Sequence, residues 1–295
     1  MKIERAFDQP CIGAFCPHGR QHPQSLIIGP MYSTGMDVQP VPGERALVAR
    51  GEERTVLVAA DLHLGLERRM AEEGWHIPSS TSGIVARLLA LVEAHEVDTM
   101  ALVGDIKDSI HTASKQEEAE LPRAIAQLAD AVSELHLVKG NHDGDLEAWV
   151  PYRKHLTVHG PRGARIGPLG LCHGHTWPDR EVMEADFLVL AHNHPSVEFT
   201  DRLGHRLREP AWFRTRLVSE LVVDRYGEVD PEVILMPPFN ELLSGTPLNK
   251  PGYTGLGPIL IRGIVDLPNA EVYLVDGIHL GRLGAITPEV DGPEG

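Results

Sequence analysis

The chain has 295 residues, 42% of them hydrophobic, and carries 42 acidic against 27 basic side chains for a net charge of -15. A chain of that length buries a full core without staples, three cysteines cannot form a complete disulfide set, and the acidic balance gives no overall field for a polyanion, although a local patch or a bound metal can oppose the global sign. No apolar run approaches the roughly eighteen residues of a membrane span, and "MKIERAFDQP" lacks the basic-then-apolar order of a secretory signal, so a soluble cytoplasmic chain with no membrane partner is expected.

Residues 1–35 are polar, broken by Pro and Gly, and show neither strand nor helix periodicity. They are expected to form a poorly ordered extension, with Met36 as an alternative translation start and 36–295 as a single domain. Within the extension Cys11, Cys16, His18 and His22 are residue types that bind zinc, but the spacing C-x4-C-x-H-x3-H matches no strong zinc pattern.

From residue 45 strands and helices alternate. "RTVLVAADLH" reads as a buried strand, "TSGIVARLLALVEAHE" as a helix capped by Thr81 or Ser82, and "VDTMALVGD" as a strand. "EAELPRAIAQLADAV" then reads as a helix and "ELHLVKGNHD" as a strand, an alternation that predicts an α/β core with a mixed or parallel sheet. Beyond residue 155 "LTVHG", "ARIGPLGLCHGH", "DFLVLAHNHP", "RLVSELVVD", "EVILMPPF" and "AEVYLVDG" read as successive strands, so the second half is expected to be mostly sheet packed on the first.

Polar residues recur where these strands end: Asp61 and His63, Asp105, Asn141 and His142, His173 and His175, His192 and His194. Strand ends open onto the crevice where α/β sheets place their sites. Singly, each cluster reads as well as a cap or turn. Jointly, the Asp, Asn and His side chains supply oxygen and imidazole donors that suit manganese, iron or zinc without a thiolate. Alternation along "LVLAHNHPS" puts His192 and His194 on one face and turns Asn193 away.

The ordered motifs "DLH", "GDIKD", "GNHD", "CHGH" and "AHNH" resemble those of the calcineurin-like metallophosphoesterases: D-x-H, G-D-x-x-D, G-N-H-D/E, H and G-H-x-H. "DLHLGLERRMAEEGWHIP" and "MPPFNELLSGTPLN" are further similar to the ICC-like archaeal phosphoesterases and the bacterial PdeM group, described as DNA-ligase-associated repair endonucleases; the matches span roughly Met36 to Leu280. The resemblance implies a four-layer α/β/β/α sandwich with two mixed sheets and the site at the strand ends. It implies two divalent ions, Mn2+ first, with Fe2+, Zn2+ or Ni2+ as alternatives. Asp61, His63, Asp105 and His194 would take one ion, and Asp105, Asn141, His173 and His192 the other. His142 would be the catalytic histidine at the leaving oxygen, Asp143 would orient it or shape its turn, and Asp108 and His175 would partner the ligand histidines. One departure is Ala191, where the family pattern has glycine.

For substrate phosphate the candidates are Arg206, Arg208 and Arg68. "DRLGHRLREPAWFRTRL" places Arg202, Arg206, Arg208, Arg214 and Arg216 around Trp212 and Phe213. This is either a nucleic-acid track with a stacking ring or a hairpin turning at "LGHR" with an arginine-rich face. Arg68 and Arg69 either touch phosphate or line a solvated helix. The first functional reading is a DNA or RNA nuclease or phosphodiesterase tied to DNA repair, with a repair protein as partner. The second, favoured by the acidic charge, is a phosphatase or phosphodiesterase for small molecules such as nucleotides. The third is a non-catalytic, metal-filled protein-binding module, for which His142 has no use. Neither G-x-S-x-G nor a Walker A sequence occurs, and "GYTGLG" follows no clear strand.

Overall fold

The computed structural model describes residues 32, 33, 36–110, 113–218 and 220–287; Cys11, Cys16, His18, His22 and most of the expected extension lie outside the described residues. Two mixed sheets carry the fold. The first runs in chain order: β1 (Tyr32–Ser33), β2 (Met36–Pro40), β3 (Ala46–Arg50), β4 (Thr55–Ala60), β5 (Thr99–Val103), β6 (Glu134–Val138) and β7 (Leu156–His159). Its pairs are antiparallel up to β4 and parallel from β4 to β7. Parallel neighbours need long crossovers. Two of these hold α1 (Leu66–Glu72) with α2 (Thr81–His95), and α3 (Lys115–Asp130).

The second sheet is built from β8 (Ala164–Ile166), β9 (Leu169–Cys172), β10 (Phe187–Leu190), β11 (Pro195–Thr200), β12 (Arg206–Arg216), β13 (Glu232–Leu235), β14 (Thr246–Pro247), β15 (Glu271–Leu274) and β16 (His279–Arg282). Its order is β14-β11-β12-β13-β10-β9-β8, with β15 on β12 and β16 on β15. The centre, β9-β10-β13, is parallel. Helices α4 (Arg180–Met183), α5 (Glu220–Tyr226), α6 (Gly257–Ile261) and α7 (Leu283–Ile286) complete this half.

Side-chain alternation turns the two sheets into four layers. Leu57, Ala59, Met100 and Leu102 face Ile84, Leu88, Leu121 and Ile125 of the helices. The intervening Val56, Val58, Ala60, Ala101 and Val103 face Leu169, Leu171, Phe187, Val189 and Ile234 of the second sheet. Leu188, Leu190, Val233 and Leu235 then meet Val182, Val222, Ile259 and Leu283 on the outside. The layer order is helix, sheet, sheet, helix, as the resemblance implies.

Local departures have physical causes. "RLVSELVVD" contains α5 instead of a strand, because Val222 and Tyr226, four residues apart, go into the outer core while Val223 stays exposed. α4, α6 and α7 have four or five residues each, too few to display a 3.6-residue period. At α2 Thr81 is already helical, Ser80 holds the cap position, and neither Thr81 nor Ser82 caps; the buried Thr81 hydroxyl has no partner. α3 starts three residues earlier than read, because Ser114 and Glu117 form a reciprocal capping box. Among the described residues no helix is long and apolar enough to cross a membrane.

Candidate metal centre

Five strands of the two sheets deliver the polar residues. Asp61 and His63 follow β4, Asp105 follows β5, Asn141 and His142 follow β6, His173 and His175 follow β9, and His192 and His194 follow β10. At the strand ends the backbone bends sharply: Asp61, His63, Asp105, His192 and His194 have φ of 52°, 42°, 41°, 68° and 43°, and Glu96 is the other non-glycine residue with positive φ among the described residues. Each such conformation costs about 1 kcal/mol or more and persists where packing over-determines it. Here it aims side chains from separate strands at one point. Close approach also requires two glycines: a Cβ on Gly104 would stand 2.2 Å from the His173 ring, and one on Gly140 2.2 Å from an Asp105 carboxylate oxygen.

The donor atoms converge. His173 Nε2 lies 3.0 Å from Asp61 Oδ1 and 3.5 Å from Asp105 Oδ2, and His194 Nε2 lies 3.5 Å from Asp61 Oδ2. His63 Nε2 and His142 Nε2 stand 3.5 and 3.8 Å from Asp105 Oδ2. Three overlapping groups result: Asp61, His63 and His194; Asp105, His173 and His192; and His63, Asp105 and His142, each with its donor atoms within 4.8 Å of one another. Asp105 belongs to two of them. Asn141 sits exposed in the turn that carries His142.

The residues fit divalent cations on a specific observation. His63 Nε2 is buried without a hydrogen-bond partner, while its Nδ1 is 2.9 Å from Asp108 Oδ1. An unpartnered ring nitrogen aimed at two buried carboxylates, with the opposite nitrogen fixed by a third, is the arrangement of a metal-binding imidazole. The set is oxygen and nitrogen throughout. Cys172, beside His173 in sequence, is buried in the outer core, and burial pushes its thiol above the ordinary range.

Charge follows the same geometry. Burial opposes ionisation of Asp61, yet His194 and the hydrogen bond from His173 outweigh it and hold the carboxyl well below the usual range. Asp108, against the same opposition from burial, is held at about 2 by His63 and Arg69. His192 and His175 are pushed down to about 4 by burial and by the charge of His173. Burial also opposes protonation of His63 and His173, but the hydrogen bonds to Asp108 and Asp61 reverse it and raise both. Carboxylates that hold protons on those rings attract a divalent cation to the same nitrogens, in competition with the proton.

Around the donors, His142 donates its backbone N–H to Asp105 Oδ1 at 2.9 Å, and its Nδ1 bonds the Asp108 carbonyl. A carbonyl only accepts, so the proton lies on Nδ1 and Nε2 faces the cluster. Asp143, expected to orient that ring or shape its turn, is fully buried under the turn, where it accepts from the backbone N–H groups of Gly140 at 2.9 Å, Ile106 at 3.1 Å and Lys107 at 3.2 Å. It shapes the turn, and the Asp108 carbonyl orients the ring. His175 Nδ1 stands 3.0 Å from His173 Nδ1. Ala191 is fully buried in the inter-sheet core, and the positive φ angles fall at His192 and His194, so the methyl group occupies core space and no glycine is needed.

Two stretches that sequence reasoning did not connect to the site support it. Asn193, buried and turned away as alternation requires, accepts from Leu256 N–H at 2.7 Å and Tyr253 Oη at 3.1 Å, which joins "GYTGLG" to the His192–His194 turn. Gly257 packs against the Gly174 carbonyl so closely that a Cβ would lie 2.0 Å from it. From "MPPFNELLSGTPLN", Asn240 donates to the Leu62 carbonyl at 2.8 Å and Thr246 N–H to the His194 carbonyl at 2.7 Å. Tertiary contacts of this kind leave no periodic signal in sequence.

The arginines divide. Arg68 lines a groove beside His142 with Arg69 and Ser109, its guanidinium 3.0 Å from Glu72, and Arg69 binds both oxygens of Asp108 at 3.0 and 3.1 Å. Arg206 and Arg208, expected near substrate phosphate, pair instead with Glu198 at 3.6 and 2.8 Å on the β11–β12 hairpin. Their register partners Thr200 and Glu198 stand about 20 and 13 Å along the strand from His194, at roughly 3.3 Å per residue. The hairpin closes at Asp201–Gly204, and Trp212 and Phe213 are buried in the cores, so neither ring offers a face to a base. The segment thus forms the hairpin, with its arginines paired along the β11–β12 face.

A family model described as calcineurin-like phosphoesterase matches residues 54–234. Among solved structures the chain is similar to the nuclease MPE of Pseudomonas putida at 20% identity and a TM-score of 0.47, covering 81% of this chain and 97% of that one. It is similar to the phosphoesterase Yfce from E. coli at 14% identity and a TM-score of 0.36, covering 77% and 97%. No curated protein matches it in sequence.

Proposed function

Since that model spans more than half of it, the chain belongs to the calcineurin-like phosphoesterase family of metal-dependent hydrolases, and from this premise we propose that it cleaves phosphodiester bonds at the centre described above. In this reading Asp61, His63, Asp105 and His194 would hold one divalent ion, and Asp105, Asn141, His173 and His192 would hold a second. The observation that carries it is the buried, unpartnered His63 Nε2 within three overlapping donor groups. Two such ions, when bound, supply Lewis acidity toward a phosphate ester and toward water.

The remaining steps fall to the chain's own groups. His142 Nε2 faces the cluster while Nδ1 is bound to a carbonyl that fixes the ring's orientation. As general acid it gives its Nε2 proton to the departing oxygen. Asp108 and His175 fix the rings of His63 and His173. Arg68, in the groove on the His142 side and paired there with Glu72, is the arginine assigned to substrate phosphate in this reading.

Nucleic acid is the first substrate class, with manganese as the metal and DNA repair in the cytoplasm, alongside a repair protein, as the setting. Its support is the similarity of "DLHLGLERRMAEEGWHIP" and "MPPFNELLSGTPLN" to the repair-associated group. Small phosphodiesters or nucleotides are the second, favoured by the net charge of -15 and by the pairing of Arg206 and Arg208 with Glu198. Hydrolysis of bis(p-nitrophenyl) phosphate with added manganese, abolished by Asp105→Asn and lowered only in part by His142→Ala, is the expected result; full activity in either variant refutes the assignment. Single-stranded and nicked DNA run against a nucleotide panel separate the two classes.

A further inference from the structure

Lys107, in the middle of "GDIKD", is completely buried, and its Nζ meets three acceptors: the His142 carbonyl at 2.6 Å, the Ser109 carbonyl and Asp145 Oδ1 at 3.0 Å. The first two acceptors matter for the site. One is the carbonyl of the histidine whose Nε2 faces the cluster. The other follows directly on Asp108, whose own carbonyl binds the His142 ring. From the opposite side Asp143 draws in the N–H groups of Ile106, Lys107 and Gly140, and Asp105 takes the N–H of His142. The turns 104–109 and 140–143 are thus cross-tied, with the ammonium as the tie nearest the imidazole.

We infer that Lys107 is a positioning residue for His142: its ammonium locks the His142 and Ser109 carbonyls together and so holds the imidazole against the Asp108 carbonyl with Nε2 toward the reacting ester. A methionine would fill nearly the same volume. What lysine adds is donors and a charge, costly to bury unless compensated, and here two carbonyls accept from the ammonium while Asp145 Oδ1 faces its charge at 3.0 Å. Loss of the ammonium leaves two carbonyls of adjoining turns without their shared partner, and the ring loses its fixed orientation while the ligands Asp61, His63, His173, His192 and His194 keep theirs. This inference rests on the placing of His142 at the departing oxygen.

The test compares a diester with an alkoxide leaving group, the dinucleotide thymidylyl-thymidine, against bis(p-nitrophenyl) phosphate, whose phenolate departs with little help from an acid. His142→Ala is expected to lower turnover of the dinucleotide by about 100-fold or more and of the aryl ester by much less. Lys107→Met is expected to act in the same direction by about tenfold, and the double variant to match His142→Ala alone, since groups acting as one unit are not additive. Independently of activity, long-range 1H–15N spectra of the zinc-loaded full chain should show the His142 Nδ1–H hydrogen-bonded and protected from exchange in the wild type and exchanging with solvent in Lys107→Met. Equal losses on both esters, additive losses in the double variant, or an unchanged ring spectrum each overturn the inference. If Lys107→Met does not fold, Asp145→Asn carries the test, because it removes only the lysine's partly exposed counter-ion: an ester ratio shifted by about twofold or more sustains the inference and an unchanged ratio overturns it. A wild type without manganese-dependent hydrolysis sinks the phosphodiesterase reading itself. An active wild type that needs His142 for the dinucleotide but not Lys107 sinks only this inference.

Discussion

At the scale of single residues, His63 and His173 each have a partner on the ring nitrogen turned away from the cluster. Asp108 is the clearest case, since one carboxylate takes His63 Nδ1 and, on both oxygens, Arg69. Asp108→Asn removes the charge from both contacts and leaves the fold's cores untouched. We expect it to weaken manganese binding about 10- to 100-fold, measured by titration calorimetry, with a smaller change in melting temperature. The same residues set the pH dependence. His63 and His173 have raised proton affinities in the metal-free protein, so protons occupy the ring nitrogens that a metal needs as pH falls. Metal affinity should therefore drop toward acid, by up to about tenfold per pH unit for each proton displaced, and proton release on binding should appear as a buffer-dependent heat. These donors were legible in the sequence because oxygen and imidazole side chains recur at strand ends. Lys107 was not, because a lone lysine in a charged motif reads as solvated and only the turn around it shows that it is buried.

At the scale of elements, legibility followed periodicity. Strands β4, β5, β6, β9 and β10 were readable as apolar runs, whereas α5 was misread because its valines carry strand propensity and the four-residue spacing of Val222 and Tyr226 spans a single turn. The loop 252–257 had no readable role at all. Its contact with Asn193 predicts one: Asn193→Ala removes a buried side chain, deprives the Leu256 N–H of its acceptor and frees the turn between His192 and His194. A loss of about 2 kcal/mol in denaturant unfolding is expected, with weaker metal binding, whereas Tyr253→Phe, which removes one bond to the same oxygen, should cost about 1 kcal/mol. Equal and negligible effects of the two would detach this loop from the site.

At the scale of the whole molecule, the two sheets bring their strand ends to one edge, and the field there is at odds with the charge of the chain. A net charge of -15 repels a polyanion everywhere except where bound cations and arginines beside the site reverse the sign. Of the arginines in "DRLGHRLREPAWFRTRL", Arg206, Arg208 and Arg214 are each held by a carboxylate, at 3.6, 2.8 and 2.5 Å. The sequence shows that charge clearly, but not which arginines are spent on ion pairs, because their partners Glu198 and Glu232 are set by strand register. The consequence is measurable as salt dependence. If single-stranded DNA is cleaved, each phosphate neutralised by the protein contributes about 0.7 to the slope of log affinity against log salt. A chain that grips DNA mainly through its metal centre and Arg68 should show a slope no steeper than about -2. Arg68→Ala should then flatten the slope by nearly one phosphate, and Arg206→Ala and Arg208→Ala should leave it unchanged, read from KM at several salt concentrations. A slope of about -4 or steeper, or one that either hairpin variant flattens, would return the β11–β12 hairpin to the nucleic-acid surface and show that its ion pairs with Glu198 open on binding.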